Sequence, residues 1–303
     1  MKRLLIVAAL ALAACDPAPD DAILDIGGGR PGAPQTFAPA DLTAFFDCLR
    51  ERDATVISAH RGGRHDGLTE NSIENFEATL THTPAFVETD IARTRDGVLV
   101  LMHDDTVDRT TNGSGDVSSM TAAQFQSLRL RDYDGNVLAT SPPTLRRALE
   151  WADGKTVLEL DVKRGVSYED VAAEVRGAGA MDRVIFITYS VDGASRLARV
   201  APEAMIYTTI NNVRDLDTLE RRGVDLAHIV AWLGDEELDE DLLQALNARG
   251  VEGRWGLFRR DADFAAAVEA GAEGVSVNDP VAAYRAINAA DGQDGYAAAQ
   301  CAR

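Results

Sequence analysis

Short β-branched segments alternate with amphipathic Ala-, Leu- and Glu-rich segments from Thr55 almost to the end of the chain, and this alternation strongly restricts the fold. Nine segments have the pattern of strands: 55–60, 86–91, 98–103, 156–163, 184–189, 204–210, 227–233, 251–257 and 274–278. Helical patterns lie between most of them, at 72–82, 144–152, 168–178, 192–200, 215–222, 236–249 and 261–270. Such alternation predicts an α/β fold with a parallel sheet, and at 303 residues it favours a single-domain (β/α)8 TIM barrel.

The strand count is one too high for a regular barrel. Arg95-Asp96-Gly97 is a tight-turn signal, so segments 86–94 and 98–103 are compatible with a hairpin that has no helix between its strands. The sequence does not decide which segment is surplus, and we therefore expect a slightly irregular barrel. A doubly wound sheet is the alternative, although no glycine-rich dinucleotide turn follows the first strand.

The amino terminus has the pattern of an export signal. Lys2 and Arg3 precede an apolar run over residues 4–14 that is too short to span a bilayer. The Leu-Ala-Ala before Cys15 resembles the lipobox of bacterial lipoproteins, so we expect a signal peptide over 1–15 and lipidation of Cys15. A non-lipidated secretory signal is the alternative.

Prolines and a run of three glycines then predict a flexible tether over 16–40, ahead of a folded domain over 41–303. The expected location is a bacterial membrane, with the domain facing the periplasm or the cell exterior. In an exported protein Cys48 and Cys301 are a candidate disulfide, and two buried free thiols are the alternative.

The charge of the chain excludes some classes of partner. There are 49 acidic against 30 basic side chains, which gives a net charge of −19. A surface of this sign repels nucleic acid and anionic membranes, so we expect no nucleic-acid partner, and nothing in the sequence indicates a protein partner. Membrane attachment would then depend on Cys15, and an anionic substrate would require a cation in the site.

Carboxylates collect on two predicted strands, near the ends where α/β sheets carry their sites. Side chains at i and i+2 of a strand share a face, so Glu88 stands beside Asp90, and Glu159, Asp161 and Lys163 form a second row. Several converging carboxylates do not all stay ionised without a cation, and oxygen ligands suit Mg²⁺ or Ca²⁺. Salt-bridged strand ends are the alternative interpretation.

Two histidines follow other predicted strands, His60 after the first and His103 after the third. A pair of imidazoles beside a metal-bound phosphodiester suits acid–base catalysis, in which one takes a proton and the other donates one. Arg61 and Lys163 would supply fixed positive charge for the phosphate oxygens.

The order of these residues resembles the glycerophosphodiester phosphodiesterase family over roughly residues 55–285. The matching motifs are His60-Arg61-Gly62, Glu70-Asn71-Ser72, Glu88-Thr89-Asp90, Asp96-Gly97, His103-Asp104, Asp108-Arg109-Thr110-Thr111, Pro143-Thr144-Leu145, Asp161-Val162-Lys163 and Asn278-Asp279-Pro280. The resemblance implies a TIM barrel that uses a divalent cation, Ca²⁺ or Mg²⁺, to hydrolyse glycerophosphodiesters to glycerol 3-phosphate and an alcohol.

The resemblance also implies roles for individual residues. His60 and His103 become the acid–base pair, and Arg61 and Lys163 become phosphate ligands. Glu88 and Asp90 become metal ligands with Asp161 as the third, although Glu159 is a rival for that position. Trp255 is expected to form an apolar wall for the substrate.

Three departures from the family pattern bear on the choice of substrate. Thr69 replaces a proline, Trp255-Gly256-Leu257-Phe258 replaces Trp-Thr-Val-Asn, and the last strand lacks a threonine before Asp279-Pro280. A lysophospholipase-D-like or phosphoinositide-cleaving enzyme on the same fold is therefore the alternative function. A non-catalytic binding lipoprotein is a third interpretation, although none of the histidines or carboxylates is missing.

Overall fold

The computed structural model describes residues 35–259, 262–293 and 295–303, and in them the predicted TIM barrel is confirmed. Eight parallel strands close into a barrel because the first strand pairs with both the second and the last. The strands are β1 Val56–Ala59, β2 Phe86–Arg93, β3 Leu99–Leu101, β4 Leu158–Val162, β5 Val184–Thr188, β6 Met205–Thr209, β7 Ile229–Trp232, β8 Glu252–Leu257 and β9 Gly274–Val277. Each of the nine predicted strand segments overlaps one of these strands, and β2 extends two residues beyond its predicted segment.

The surplus strand is β3, which pairs antiparallel with β2 and is not part of the closed barrel. A tight turn joins the two strands, closed by the hydrogen bond from the Gly97 amide to the Thr94 carbonyl at 3.0 Å. Gly97 has φ = +88°, which favours glycine at this position. The turn signal at residues 95–97 therefore marked the irregular step of the barrel.

Helices surround the barrel, and most begin at a side-chain cap. Ser72, Thr144, Ser167 and Ser190 each accept a backbone N–H bond from the first turn of the following helix. The helices are α1 Leu42–Glu51, α2 Ile73–His82, α3 Ala122–Gln126, α4 Leu145–Ala152, α5 Tyr168–Gly177, α6 Val191–Val200, α7 Val213–Arg221, α8 Glu240–Asn247, α9 Ala265–Glu269, α10 Pro280–Ala290 and α11 Ala297–Cys301. Of these, α1, α3, α10 and α11 were not among the helical segments predicted from the sequence.

Helix α1 covers the end of the barrel where the strands begin. Its phenylalanines Phe45 and Phe46 pack against Phe86 at the start of β2, with ring centroids 5.3 and 6.4 Å away. Phe37 joins the same cluster and is 1% exposed. The packed part of the chain therefore begins before residue 41, and residues 35–40 belong to it instead of the predicted tether. The signal-peptide segment 1–15, Cys15 and residues 16–34 lie outside the described residues.

Residues 102–143 form an excursion between β3 and α4, at the end of the barrel where the strands finish. Val107, Val117 and Phe125 are buried with Val100 and Met102 in a small apolar cluster of their own. This cluster anchors the excursion to the barrel and fixes the position of the charged side chains that it carries toward the mouth.

A disulfide joins α1 to α11. Cys48 and Cys301 are bonded, with their Cα atoms 5.7 Å apart and a sequence separation of 253 residues. Of the two alternatives that the sequence left open, the structure contains the bridge. Among the described residues, none of the helices has the length and apolar character needed to cross a membrane.

We expect Cys48→Ser/Cys301→Ser to lower the free energy of unfolding by about 2–5 kcal/mol, because the bridge restricts a very long loop in the unfolded chain. Thermal unfolding with and without reductant tests this. Reductant should lower the Tm of the wild-type protein to that of the variant and leave the variant unchanged. Equal Tm values for both proteins without reductant would contradict the expectation.

Candidate active site

The chain turns sharply after β1, at His60-Arg61-Gly62, and this turn delivers two functional groups to the barrel mouth. Arg61 has φ = +54°, a left-handed conformation that is uncommon for a residue with a side chain. Its backbone N–H donates to Glu88 Oε2 at 2.7 Å. A Cβ atom on Gly62 would lie 2.4 Å from the Phe76 ring, so glycine is required there. The turn at the HRG motif thus places the backbone amide of Arg61 against the carboxylate of Glu88.

Three carboxylates meet at the carboxyl ends of β2 and β4. Ligand oxygens of Glu88, Asp90 and Asp161 all lie within 4.8 Å of one another, and the three residues are 5%, 1% and 8% exposed. Asp90 and Asp161 are opposite each other in the parallel register, which brings their side chains to one height in the barrel. Oxygen donors at this spacing fit a hard divalent cation such as Mg²⁺ or Ca²⁺.

Glu159 does not belong to this triad. Its Oε2 accepts from Arg254 Nη1 at 2.6 Å and from Ser58 Oγ at 2.5 Å, and its Oε1 accepts from Tyr207 Oη at 3.1 Å. Both oxygens are therefore occupied inside the barrel, below the mouth. The structure separates the two rivals for the third ligand position and places Asp161, not Glu159, beside Glu88 and Asp90.

Positive side chains surround Asp90. Lys163 Nζ lies 2.7 Å from Asp90 Oδ1 and 2.6 Å from Asp161 Oδ2, and Arg61 Nε lies 3.5 Å from Asp90 Oδ2. Burial alone would raise the pKa of Asp90, but Lys163 and the other polar neighbours outweigh it, and the pKa lies below the ordinary value. Asp90 is accordingly ionised in the folded protein.

Glu88 is in the opposite electrostatic position. Burial raises its pKa well above the ordinary value, and the negative charges of Asp90 and Asp161 raise it further, while the hydrogen bond from the Arg61 amide lowers it. In the absence of a cation, the raised pKa of Glu88 therefore favours retention of its proton. Such a triad gains stability from a positive ion, which would replace that proton.

Two polar side chains that had no predicted role orient the triad. The Asn71 amide donates to Asp90 Oδ2 at 2.7 Å from a residue with φ = +55°, and the Tyr189 hydroxyl donates to Asp161 Oδ1 at 2.5 Å. Asn71 stands in a motif that the sequence analysis noted without assigning a function. For Tyr189, the only signal in the sequence of a role at the site is its position at the end of a predicted strand.

His60 has a defined hydrogen-bonding partner at one ring nitrogen. Its Nδ1 lies 2.8 Å from Asn278 Oδ1, and Asn278 Nδ2 donates to the Phe258 carbonyl at 2.9 Å. Because that bond assigns the amide nitrogen as donor, Oδ1 is the acceptor and Nδ1 of His60 carries the proton. Burial lowers the pKa of His60, although the bond to Asn278 partly offsets the effect. The ring is thus neutral, with Nε2 able to accept a proton.

His103 is held by a carboxylate instead. Its Nδ1 lies 2.7 Å from Asp104 Oδ1, and Arg109 Nε donates to Asp104 Oδ2 at 2.7 Å. The hydrogen bonds from Arg109 lower the pKa of Asp104 to about 2, so that Asp104 is ionised at any physiological pH. An ionised carboxylate can only accept, so Nδ1 of His103 donates in this bond.

Arg109 connects this pair to the other side of the mouth. It donates to both oxygens of Glu70, at 2.9 and 2.7 Å, and Arg61 Nη1 also reaches Glu70 Oε1 at 3.1 Å. Burial would raise the pKa of Glu70, but Arg109 and Arg61 outweigh it and the pKa is lowered. Glu70 is therefore an ionised bridge between the two arginines.

Two cavities are lined in part by side chains that contact the triad. One, of about 710 Å³, is lined by residues that include His60, Arg61, Glu70, Tyr133, Phe258 and Asn278. The other, of about 790 Å³, is lined by residues that include His103, Lys163, Arg164, Tyr168, Tyr189 and Arg196. We refer to them as the His60-side and His103-side cavities. Arg61 links the first cavity to Asp90, and Lys163 and Tyr189 link the second to Asp90 and Asp161.

Trp255 is not where the sequence predicted it, since it lines neither of these cavities. Side chains alternate along a strand, and Arg254 points into the barrel, so Trp255 is turned outward. Its indole N–H donates to the Glu236 carbonyl at 2.8 Å. Phe258 takes the expected position, with its ring 4.8 Å from His60 and 6.1 Å from Trp232.

Comparison with known proteins identifies similar sequences. The model of the glycerophosphoryl diester phosphodiesterase family matches residues 60–282, which include both histidines and the whole triad. Glycerophosphodiester phosphodiesterase 1 of Bos taurus is 37% identical over 136 residues, which are 42% of this chain and 40% of that protein. A glycerophosphodiester phosphodiesterase of Caldanaerobacter subterraneus subsp. tengcongensis is 30% identical over 159 residues, or 50% and 65% of the two chains. The matches thus span between two fifths and two thirds of these curated relatives.

A solved structure resembles the whole barrel. The crystal structure of a glycerophosphoryl diester phosphodiesterase from Parabacteroides distasonis superposes with a TM-score of 0.77 at 31% sequence identity. The likeness covers 84% of this chain and 94% of the other. The similarity is therefore not confined to the motifs around the mouth.

We expect the binding of Ca²⁺ or Mg²⁺ to release up to one proton per ion, because the pKa of Glu88 is raised in the cation-free site and the cation must replace a proton held there. The affinity should accordingly rise with pH. Calorimetric titration in two buffers of different ionisation enthalpy measures the proton release. Glu88→Gln should abolish it, whereas Glu70→Gln, which removes a carboxylate that is already ionised, should retain it. Equal binding enthalpies in both buffers would contradict the expectation.

Proposed function

The chain belongs to the glycerophosphoryl diester phosphodiesterase family, and on that premise we propose that it hydrolyses glycerophosphodiesters to glycerol 3-phosphate and an alcohol. One observation carries the proposal. Side chains that contact the buried carboxylate triad line two cavities: Arg61 lines the cavity that includes His60, and Lys163 and Tyr189 line the cavity that includes His103. A phosphodiester has the matching form, with a central phosphate and one substituent on each side.

The triad is the proposed site of one divalent cation, held by Glu88, Asp90 and Asp161. The donor set supports this, because it consists of three buried carboxylates with no sulfur or imidazole ligand among them. When bound, the cation would polarise the phosphate and stabilise the charge that develops on its oxygens. Both Ca²⁺ and Mg²⁺ fit an all-oxygen site, and export favours Ca²⁺.

His60 is the proposed general base. Its Nδ1 proton is fixed by Asn278, its Nε2 is free to accept, and burial lowers its pKa, so that the neutral form is present at neutral pH. A base needs this protonation state before the reaction starts.

His103 is the proposed general acid. The Asp104 carboxylate accepts from Nδ1 and orients the ring, and the imidazolium form would donate its Nε2 proton to the leaving alcohol. The bond between phosphorus and the leaving oxygen breaks as that oxygen receives the proton. Arg61 and Lys163 supply the fixed positive charge for the phosphate oxygens, since both stand beside the triad.

The same two histidines suit two nucleophiles. His60 can take a proton from water, which gives glycerol 3-phosphate directly, or from a neighbouring hydroxyl of the glycerol, which gives a cyclic phosphate that water then opens. A cyclic phosphate among the early products would identify the second route, and its absence under single-turnover conditions would identify the first.

A second candidate is a lysophospholipase-D-like activity. Phe258, Phe264 and Tyr133 line the His60-side cavity and give it apolar surface, which an acyl chain on the glycerol could occupy. This candidate shares the cation and the histidines and differs only in the substrate. Glycerophosphocholine, glycerophosphoethanolamine and glycerophosphoinositol, compared with the corresponding lysolipids, would separate the two.

We also propose that the protein is exported and attached to a bacterial membrane through a lipidated Cys15, after cleavage of the signal before that residue. The charged and apolar pattern at the amino terminus supports this. The bridge between Cys48 and Cys301 supports it independently, because disulfides persist mainly in oxidising compartments. A non-catalytic binding role has no supporting observation, since both histidines and all three carboxylates are in place.

We expect glycerophosphodiester hydrolysis to disappear in EDTA and to return when Ca²⁺ or Mg²⁺ is added. His60→Ala and His103→Ala should each lower kcat by about 10²–10⁴-fold, because each removes one of the two proton transfers. Steady-state release of glycerol 3-phosphate is the measurement.

The matched control is His228→Ala. His228 bonds the Pro202 carbonyl just before β7 begins, at the opposite end of the barrel, and its loss should leave kcat within about two-fold. Activity that survives chelation, or that survives both histidine substitutions, would overturn the proposed function.

A further inference from the structure

A buried ion pair lies inside the barrel. Arg254 Nη1 is 2.6 Å from Glu159 Oε2, and the two side chains are 4% and 0% exposed. Glu159 precedes Asp161 by two residues on the inward face of β4 and is opposite Glu88 in the parallel register, so this pair lies level with Glu88 and one step below Asp90 and Asp161.

Several strands contribute to holding Arg254. Its guanidinium donates to Ser276 Oγ and Ser58 Oγ, both at 2.5 Å, and lies 4.3 Å from the centre of the Tyr207 ring. Glu159 also accepts hydrogen bonds from the hydroxyl groups of Ser58 and Tyr207. Both charged groups of the pair are therefore satisfied and fixed in one position.

Stability alone does not account for such a pair. A buried ion pair loses its hydration on folding, and apolar residues of similar volume are often equally stable or more stable in its place. The more specific consequence is electrostatic. Arg254 balances a carboxylate that would otherwise stand as a fourth negative charge against Glu88, Asp90 and Asp161.

We propose that Arg254 and Glu159 form a positioning pair that keeps Glu159 out of the cation site and sets the net charge felt by the cation. The proposal rests on the triad being the cation site, as the proposed function holds. Neither residue touches the substrate. β4 supplies two inward-facing acidic side chains, Glu159 and Asp161. Because Arg254 holds Glu159, only Asp161 joins Glu88 and Asp90 at the cation site.

Three variants test the proposal by the affinity of the cation-free protein for Ca²⁺ and for Mn²⁺, measured by calorimetry without substrate. Glu159→Gln leaves the positive charge of Arg254 unbalanced near the triad and should weaken binding by about ten-fold or more. Glu159→Gln/Arg254→Met removes both charges and should restore the affinity to within about three-fold of the wild type.

Glu252→Gln is the matched control. Like Glu159, Glu252 is buried and pairs with an arginine, Arg50, but it lies at the start of β8, at the end of the barrel away from the triad. Its substitution should leave cation affinity within about two-fold. Circular dichroism and the Tm of each variant show whether it is folded.

The proposal is overturned if Glu159→Gln binds the cation as the wild type does, or if folded Glu159→Gln/Arg254→Met is as weak as Glu159→Gln. If Arg254→Met prevents folding, the comparison of Glu159→Gln with Glu252→Gln still decides. Failure of the proposed function would be seen differently, as a wild-type protein that binds the cation but hydrolyses no glycerophosphodiester.

Discussion

The mutual repulsion of three buried carboxylates is the constraint on which the rest of the site depends. Glu88, Asp90 and Asp161 lie within ligand distance of one another in a region that excludes most water. Closely spaced negative charges at low dielectric remain ionised only when positive charge balances them. The described structure supplies Lys163 and Arg61 to Asp90 and leaves Glu88 with a raised pKa. The remaining deficit of positive charge is what a divalent cation would fill.

The barrel meets this constraint with two groups of side chains. The first is neutral overall, because Arg254 pairs with Glu159 and hydroxyl groups satisfy the rest. The second, the triad, is acidic and opens to the mouth, where His60 and His103 stand at the two cavities with different partners. The Asn278 amide oxygen accepts from Nδ1 of one imidazole, and the Asp104 carboxylate accepts from Nδ1 of the other. The net charge of −19 therefore does not oppose a phosphate substrate, because cationic side chains concentrate around the triad.

The sequence allowed much of this arrangement to be predicted, for physical reasons. Strand–helix alternation identified the barrel, and the two-residue period of a strand placed Glu88 beside Asp90. Periodicity could not choose between Glu159 and Asp161, because both face inward and only the partner on β8, Arg254, separates them. The same residue explains the wrong expectation for Trp255, since an inward Arg254 turns its neighbour outward. Helix α1 lay beyond prediction because covering the barrel end requires contacts between residues far apart in sequence.

The central claim is that Glu88, Asp90 and Asp161 hold one divalent cation, and a crystal structure of the protein soaked in Mn²⁺ tests it most directly. The anomalous difference map should show one strong peak at the barrel mouth, about 2.0–2.6 Å from oxygens of all three carboxylates. Glu159 should remain paired with Arg254. A peak bonded to Glu159, or no peak at the triad while the ion binds elsewhere, would contradict the account.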